Sequence, residues 1–143
     1  MKGLLLRQAV ESDSKEMFDL RNNPAIRRMS HNTRIMSFAE HRQWFSRVLT
    51  DNSKKILIAQ KDSDFVGMVR LELIDNAYLM SWAISPKFQG CGFGKEMVKA
   101  ASKIVDKTLR AEIKQNNHAS IRIAEYIGMK LTKTIDNILF YQK

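Results

Sequence analysis

Apolar and polar positions along this chain follow two periods, and each change of period marks an element. Residues 4–9 open with three leucines before Arg7 and Gln8, the pattern of a short strand. Asp13 and Glu16 then stand at capping-box spacing, which predicts a helix to about Asn22, ended by Pro24. Ser37 and Glu40 repeat that spacing, and Phe38, His41, Trp44, Phe45, Val48 and Leu49 recur at helical intervals. Two helices are thus expected after the first strand. Residues 56–59 and 65–73 read as strands joined by the polar turn Lys61-Asp62-Ser63-Asp64, and Asp75-Asn76 turns the chain into a third, Ala77–Ile84. The result is an antiparallel meander.

Behind the meander comes the bend Ser85-Pro86-Lys87 and then Gln89-Gly90-Cys91-Gly92-Phe93-Gly94, which opens into a helical pattern over 95–105. Glycines let a backbone approach an anion closely, and the N–H groups of a helix start point at it, so this is the layout of a phosphate cradle. An ordinary strand-to-helix turn is the plain alternative for the glycines alone. The spacing G-x-G-x-G departs from the dinucleotide fingerprint, and Lys95 is followed by Glu96 where a P-loop needs Ser or Thr. A pyrophosphate site without a metal ligand fits what remains.

The helix after the loop places Met97, Val98, Ala101, Ile104 and Val105 on one face, and Thr108–Lys114 alternates Leu109, Ala111 and Ile113 against charged residues. Strand, helix and strand in that order imply a right-handed crossover between neighbouring parallel strands. Asn116-Asn117 offers a cap for a helix ending at Gly128, and Lys130–Ile135 and Ile138–Gln142 form a hairpin around Asp136-Asn137. The expected fold is mixed α/β, a largely antiparallel sheet of six or seven strands with a central parallel pair and helices on both faces.

At 143 residues with 44% apolar content, the chain is expected to form one domain over 1–143. The leading leucines break at Arg7, too early for a signal-peptide core, and no apolar stretch approaches the ~20 residues of a spanning helix, so a cytoplasmic protein without membrane partners is expected. Cys91, the one cysteine, excludes an internal disulfide framework and reads as a small loop filler in preference to a nucleophile. His31, His41 and His118 are unrelated in spacing, so no metal site is expected. A formal charge of +9 favours anionic partners, but the basic residues are scattered, which favours an anionic small molecule over nucleic acid.

Ile84-x-Pro86-x-x-Gln89-x-x-Gly92-x-Gly94 on a strand, loop and helix, followed by Asn117-x-x-Ser120 and Gly128-Met129, resembles the GNAT family of acetyl-CoA-dependent N-acetyltransferases across essentially the whole chain. The resemblance implies a GNAT fold with acetyl-CoA as co-substrate. It also implies that Gln89, Gly90, Cys91, Gly92, Phe93, Gly94 and Lys95 form the loop whose amides hold the pyrophosphate, after a strand ending near the cofactor-binding Ile84. It further implies that the strand ending near Ile84 splays from the one beginning near Thr108 to admit the pantetheine arm, with Asn117 and Ser120 beside that arm. Asn117 as a helix cap only, and Ser120 as a small packing residue, stay open. Leu20-Arg21-Asn22-x-Pro24-x-Ile26 and Phe38-x-Glu40-His41-x-x-Trp44-Phe45 are similar to the branch holding RimJ/RimL-type enzymes and the nucleotide-sugar N-acetyltransferases of bacterial surface-sugar pathways such as pseudaminic acid. That likeness makes Arg21, Asn22 and His41 candidates for contacting or positioning the acceptor, against a helix-end salt bridge for Arg21 and a half-buried helix residue for His41.

An amine must be neutral to attack a thioester, and the departing thiolate benefits from a proton donor. Many GNAT members place a Tyr seven residues after the motif Asn, but that position is Ala124 here. Tyr126 is rotated from it by about 200° on a helix and reads as packing. The strand before the loop carries no carboxylate over 78–82. Glu72, Ser81 and Tyr141 are therefore the catalytic candidates, with Tyr78 facing the acceptor; a water chain to solvent is the other route. Glu72 is equally readable as a surface residue. The expected acceptor is a small-molecule amine, an anionic nucleotide-linked amino sugar, with a protein N-terminus as the nearest alternative and a non-catalytic acyl-CoA-binding module as the different class. The C-terminal hairpin leaves an edge strand that a homodimer would cover.

Overall fold

The computed structural model describes residues 3–143. Seven strands form one sheet: β1 (Leu4–Gln8), β2 (Lys54–Lys61), β3 (Asp64–Ile74), β4 (Ala77–Ile84), β5 (Thr108–Lys114), β6 (Lys130–Ile135) and β7 (Ile138–Gln142). Their spatial order is β1-β2-β3-β4-β5-β7-β6, antiparallel at every junction except β4–β5. Asp75 and Asn76 both take positive φ (51° and 62°), as a two-residue type I′ hairpin between Ile74 and Ala77 requires.

Three helices, not two, separate β1 from β2: α1 (Ser14–Asn22), α2 (Pro24–Met29) and α3 (Phe38–Leu49). Pro24 starts a helix instead of only ending one. Asn23 Oδ1 accepts the N–H groups of Ala25 and Ile26 (3.0 and 3.3 Å), and proline at the first helical position sacrifices no needed donor. The capping box expected at Asp13 is also displaced. Buried Asp13 accepts from the Val10 N–H (2.8 Å) and from both terminal nitrogens of Arg7 (2.8 and 2.7 Å), and makes no side-chain cap on α1. The Arg7 hydrogen bonds hold its carboxyl below the usual carboxylate range. The box at Ser37 and Glu40 forms as expected, each side chain taking the other's N–H (3.1 and 3.2 Å).

Two cores lie on opposite faces of the sheet. On one, α4 (Phe93–Lys103) and α5 (His118–Tyr126) bury Met97, Val98, Ala101, Ala124 and Ile127 against Leu57, Val69, Met80, Leu109, Ala111 and Ile113. On the other, Met17 of α1 and Phe45 and Val48 of α3 close over Ile56 and Ile58. The alternation in β5 is as expected. Ile104 is not: α4 ends at Lys103, and Ile104 is exposed one residue past it. α5 ends in a Schellman motif, with Gly128 at φ 94° donating to Glu125 O and Met129 donating to Ala124 O (3.1 and 3.0 Å).

Candidate functional site

The parallel strands β4 and β5 pair over only three residues, Ala77 with Thr108, Tyr78 with Leu109 and Leu79 with Arg110, and then part. The Ser85 N–H bonds to Val66 O (2.8 Å), which fixes the phase of the β3–β4 ladder: odd-numbered β4 residues bond to β3 and even-numbered ones turn away from it. Leu109 exchanges hydrogen bonds with Lys143 (3.0 and 2.9 Å), so the even-numbered residues of β5 turn their backbone toward β4. Trp82 and Glu112 therefore present N–H and C=O groups to each other's strand across a gap. A cleft lined by unpaired backbone groups is suited to an amide-bearing chain.

At the mouth of this cleft Ile84 ends β4, and its carbonyl is taken by the Gln89 side-chain amide (3.1 Å), so Gln89 ties the loop back to the strand. Gly90 and Gly92 adopt φ 78° and 83°, and Gly92 is the N-cap of α4. Glu96 N–H reaches Gly92 O (3.4 Å); among the described residues no acceptor takes the N–H groups of Phe93, Gly94 or Lys95 before it. Three unclaimed donors at the positive end of a helix suit an anion. Phe93 turns its ring inward, edge-on to Phe88 at 5.7 Å, and contributes its N–H. A Cβ on Gly94 would stand 2.8 Å from Ile123 Cδ1, so glycine there leaves room for the Ile123 side chain of α5. Cys91 is exposed, its thiol 3.8 Å from Gln89 O. Lys95 and Lys99 place their ammonium groups 5.3 and 5.5 Å from the ring of Tyr126, which is exposed on the outside of α5 and not packed in the core. Asn117 Oδ1 caps α5 through Ser120 N–H (3.2 Å), and Ser120 is half-buried.

On the opposite face of the sheet, residues 30–37 arch from α2 over the open end of the cleft. Asn22 braces the arch with both ends of its amide, donating to Met36 O (2.7 Å) and accepting from Met36 N–H (3.0 Å). Arg27 spans it, with Nε to Asn22 O (3.1 Å) and Nη1 to Thr33 O (3.3 Å). Arg21 Nη2 reaches Asn32 O (3.1 Å), while its Nη1 is buried without an acceptor among the described residues. The arch lands on β5. His31 Nε2 sits 3.0 Å from Glu112 Oε1, and Lys114 Nζ donates to Arg28 O (2.9 Å).

Residues 3–130 match the sequence profile of the acetyltransferase (GNAT) domain. The chain belongs to the GNAT acetyltransferase family. As such it takes its acetyl group from acetyl-CoA. No protein of curated function matches the sequence. Among solved structures the chain is similar to a domain from Methanocaldococcus jannaschii (22% identity, 98% of this chain and 97% of that one, TM-score 0.85). It is also similar to spermidine N-acetyltransferase from Vibrio cholerae in complex with CoA and spermine (18%, 99% and 94%, TM-score 0.85). A third is RimL, the ribosomal L7/L12 alpha-N-protein acetyltransferase, in complex with CoA (17%, 100% and 94%, TM-score 0.85). At these identities the likeness is one of fold.

The GNAT chain's own residues fit the co-substrate. The unclaimed N–H groups of the loop suit its phosphates, and the buried Trp82 indole N–H, also without an acceptor among the described residues, lies on the α4/α5 side of the splayed strand. Other expectations from sequence land elsewhere. His41 is 1% exposed, enclosed by Phe18, Trp44 and Phe45, so it belongs to the α3 core and does not reach the cleft. Burial, and then Arg21, push its pKa down, keeping it neutral. Asn22 is committed to the arch. Tyr141 is 4% exposed on the α5 side, its hydroxyl 3.5 Å from Glu125, and burial raises its pKa; it faces away from the arch. Tyr78 sits at the closed, paired end of the splay and packs into the α4/α5 core.

Ser81 and Glu72 do share the arch face, diagonal to each other across β3 and β4, which sets them about 7–8 Å apart. Glu72 lies toward the closed end, 3.9 Å from Lys54. The residue not anticipated is Glu112. Continuing the β4–β5 register past Leu79 and Arg110 sets Glu112 opposite Ser81 across the gap, on the arch face. In sequence Glu112 is one charge of an alternating strand, like Arg110 and Lys114; only its place beside the splay and its His31 partner distinguish it. Among the described residues no group of His, Cys, Asp and Glu gathers as a metal site.

Proposed function

We propose that this GNAT protein moves the acetyl group directly to a primary amine in a ternary complex, and that the acceptor is a nucleotide-linked amino sugar. The observation that carries the chemistry is the Glu112–His31 pair at 3.0 Å, on the acceptor side of the splay and opposite Ser81. Acetyl-CoA supplies the thioester carbonyl. Gln89, Gly90, Cys91, Gly92, Phe93, Gly94 and Lys95 anchor its phosphates after Ile84, and Asn117 and Ser120 border the pantetheine arm. Glu112, oriented by His31, takes the proton that the amine sheds as the N–C bond forms and the C–S bond breaks. Ser81 is within reach to orient the amine. Ala124 offers no proton donor on the thiol side, so water protonates the departing thiolate.

The spermine held by the Vibrio cholerae enzyme and the protein substrate named for RimL support an amine acceptor in general. The arginines around the arch, Arg21, Arg27 and Arg70, favour the anionic one here. Thiol release from acetyl-CoA is measured across UDP-linked amino sugars, N-terminal peptides and polyamines. Turnover confined to the sugar supports the reading. Turnover confined to peptides replaces it with a RimL-like activity, and saturable acetyl-CoA binding without turnover replaces it with a binding module.

A further inference from the structure

Four arginines converge on the acceptor side. Arg21 sits at the end of α1, Arg27 on α2, Arg34 on the arch and Arg70 on β3. Arg27 is spent on backbone carbonyls of the arch, and Arg34 pairs with Glu40 at 3.3 Å. Arg21 and Arg70 are different. Arg21 uses one terminal nitrogen on Asn32 O and buries the other without an acceptor. Arg70 is half-buried, its guanidinium 5.8 Å from the centre of the Trp44 ring, and no carboxylate or carbonyl of the described residues accepts from it. Arg70 is the cross-strand partner of Ser81, so their Cβ atoms lie about 4.5–5.5 Å apart on the face where Glu112 stands. A guanidinium N–H left buried and unpaired is costly, and arginines crowded together repel. Arg21 registers both: its pKa is lowered by burial and then by Arg34, Arg27 and Arg70.

We propose that Arg21 and Arg70 form an oxyanion-binding subsite for the acceptor, beside the reacting amine, so that the substrate is an amine carrying a phosphate or carboxylate and a polycation is disfavoured. The inference rests on the acetyltransfer reading for its context and names the acceptor's second functional group. Arg21 supplies the buried nitrogen, and Arg70 supplies a planar fork beside the Trp44 ring, a group matched to two oxygens of one anion.

The test separates this subsite from the phosphate cradle of the loop. The full chain is first saturated with CoA, and inorganic pyrophosphate is then titrated by calorimetry. One equivalent is expected to bind, and Arg21→Gln and Arg70→Gln are each expected to weaken it about tenfold or more while CoA affinity is unchanged. Arg70→Lys keeps the stem over Trp44 and the charge but loses the fork, and is expected to lie between. Pyrophosphate that fails to bind the CoA-loaded protein, or binds both Gln variants as tightly as the parent, overturns the subsite while leaving acetyltransfer intact; failure to bind CoA overturns the acetyltransfer reading instead. Matched acceptors identify the source of the anion. A nucleotide-diphosphate amino sugar favoured over its unphosphorylated sugar assigns a phosphate, and an acidic amino acid favoured over its amide assigns a carboxylate. Either preference is expected to vanish in Arg21→Gln, and spermidine turning over faster than every anionic amine would sink the proposal.

Discussion

A carboxylate held by an imidazole at 3.0 Å is oriented before any amine arrives, and that preorganisation is what Glu112 offers. Replacing it by Gln preserves shape and removes the proton acceptor. Glu112→Gln is expected to lower kcat by about 10²–10⁴-fold with CoA affinity unchanged, read from thiol release beside a binding isotherm. His41 makes the contrasting residue-scale case. Burial lowers its folded pKa below the unfolded value of about 6.5, so as pH falls past that value the unfolded chain gains a proton the folded one resists. Stability is therefore expected to fall as the pH drops from about 6.5 toward the folded pKa. Melting temperatures between pH 7.5 and 5.5 check this, and the slope should flatten in His41→Gln. A histidine at helical spacing among aromatics was legible as half-buried or functional, and the enclosing rings of Phe18, Trp44 and Phe45 decide for the core. Glu112 was illegible because its proposed role comes from a strand that leaves it and a loop that reaches it, neither of which is local in sequence.

At the scale of elements, the placement of α4 governs the loop proposed to hold CoA. Gly94 lies where a methyl group would meet Ile123 Cδ1 at 2.8 Å, so in Gly94→Ala the half-buried Ile123 side chain must swing aside. A cost of about 0.5–1.5 kcal/mol, that of a displaced rotamer, is expected in urea unfolding, with little change in kcat. Most elements were readable because their signals are local. The Ser37 and Glu40 box, the Asp75-Asn76 turn and the glycine at φ 94° after α5 each state a boundary within four residues. α2 was missed although its signal was present: Asn23-Pro24 is a cap followed by a proline at the first helical position, and reading the proline only as a stop hid it. Asp13 misled in the other direction, since an acid at capping spacing was claimed by Arg7 from a neighbouring strand.

Across the whole molecule, the sheet divides into a meander and a C-terminal group of three strands, joined by three residue pairs of β4 and β5. A ligand that enters this seam bridges two groups of strands that otherwise meet through these pairs and the shared α4/α5 core. CoA at about 100 times its Kd is expected to add about 2.7 kcal/mol of stability, which for a chain of this size raises Tm by about 9 °C. A shift under about 2 °C at saturation would contradict binding in the seam. The parallel neighbours were predictable from the crossover rule, and the hairpin from its turn. That β7, and not β6, docks on β5 was not, because the choice depends on pairing between distant segments. The same pairing orders events while the chain is being made. Synthesis delivers residues from the N-terminus at roughly 5–20 per second, so the meander can close while β5 still has only its short seam with β4. β5 gains its five paired residues on the other side only when Ile138–Gln142 follows. The wall bearing Glu112 is thus fixed late, and a nascent chain becomes folded over most of its length before it becomes an enzyme.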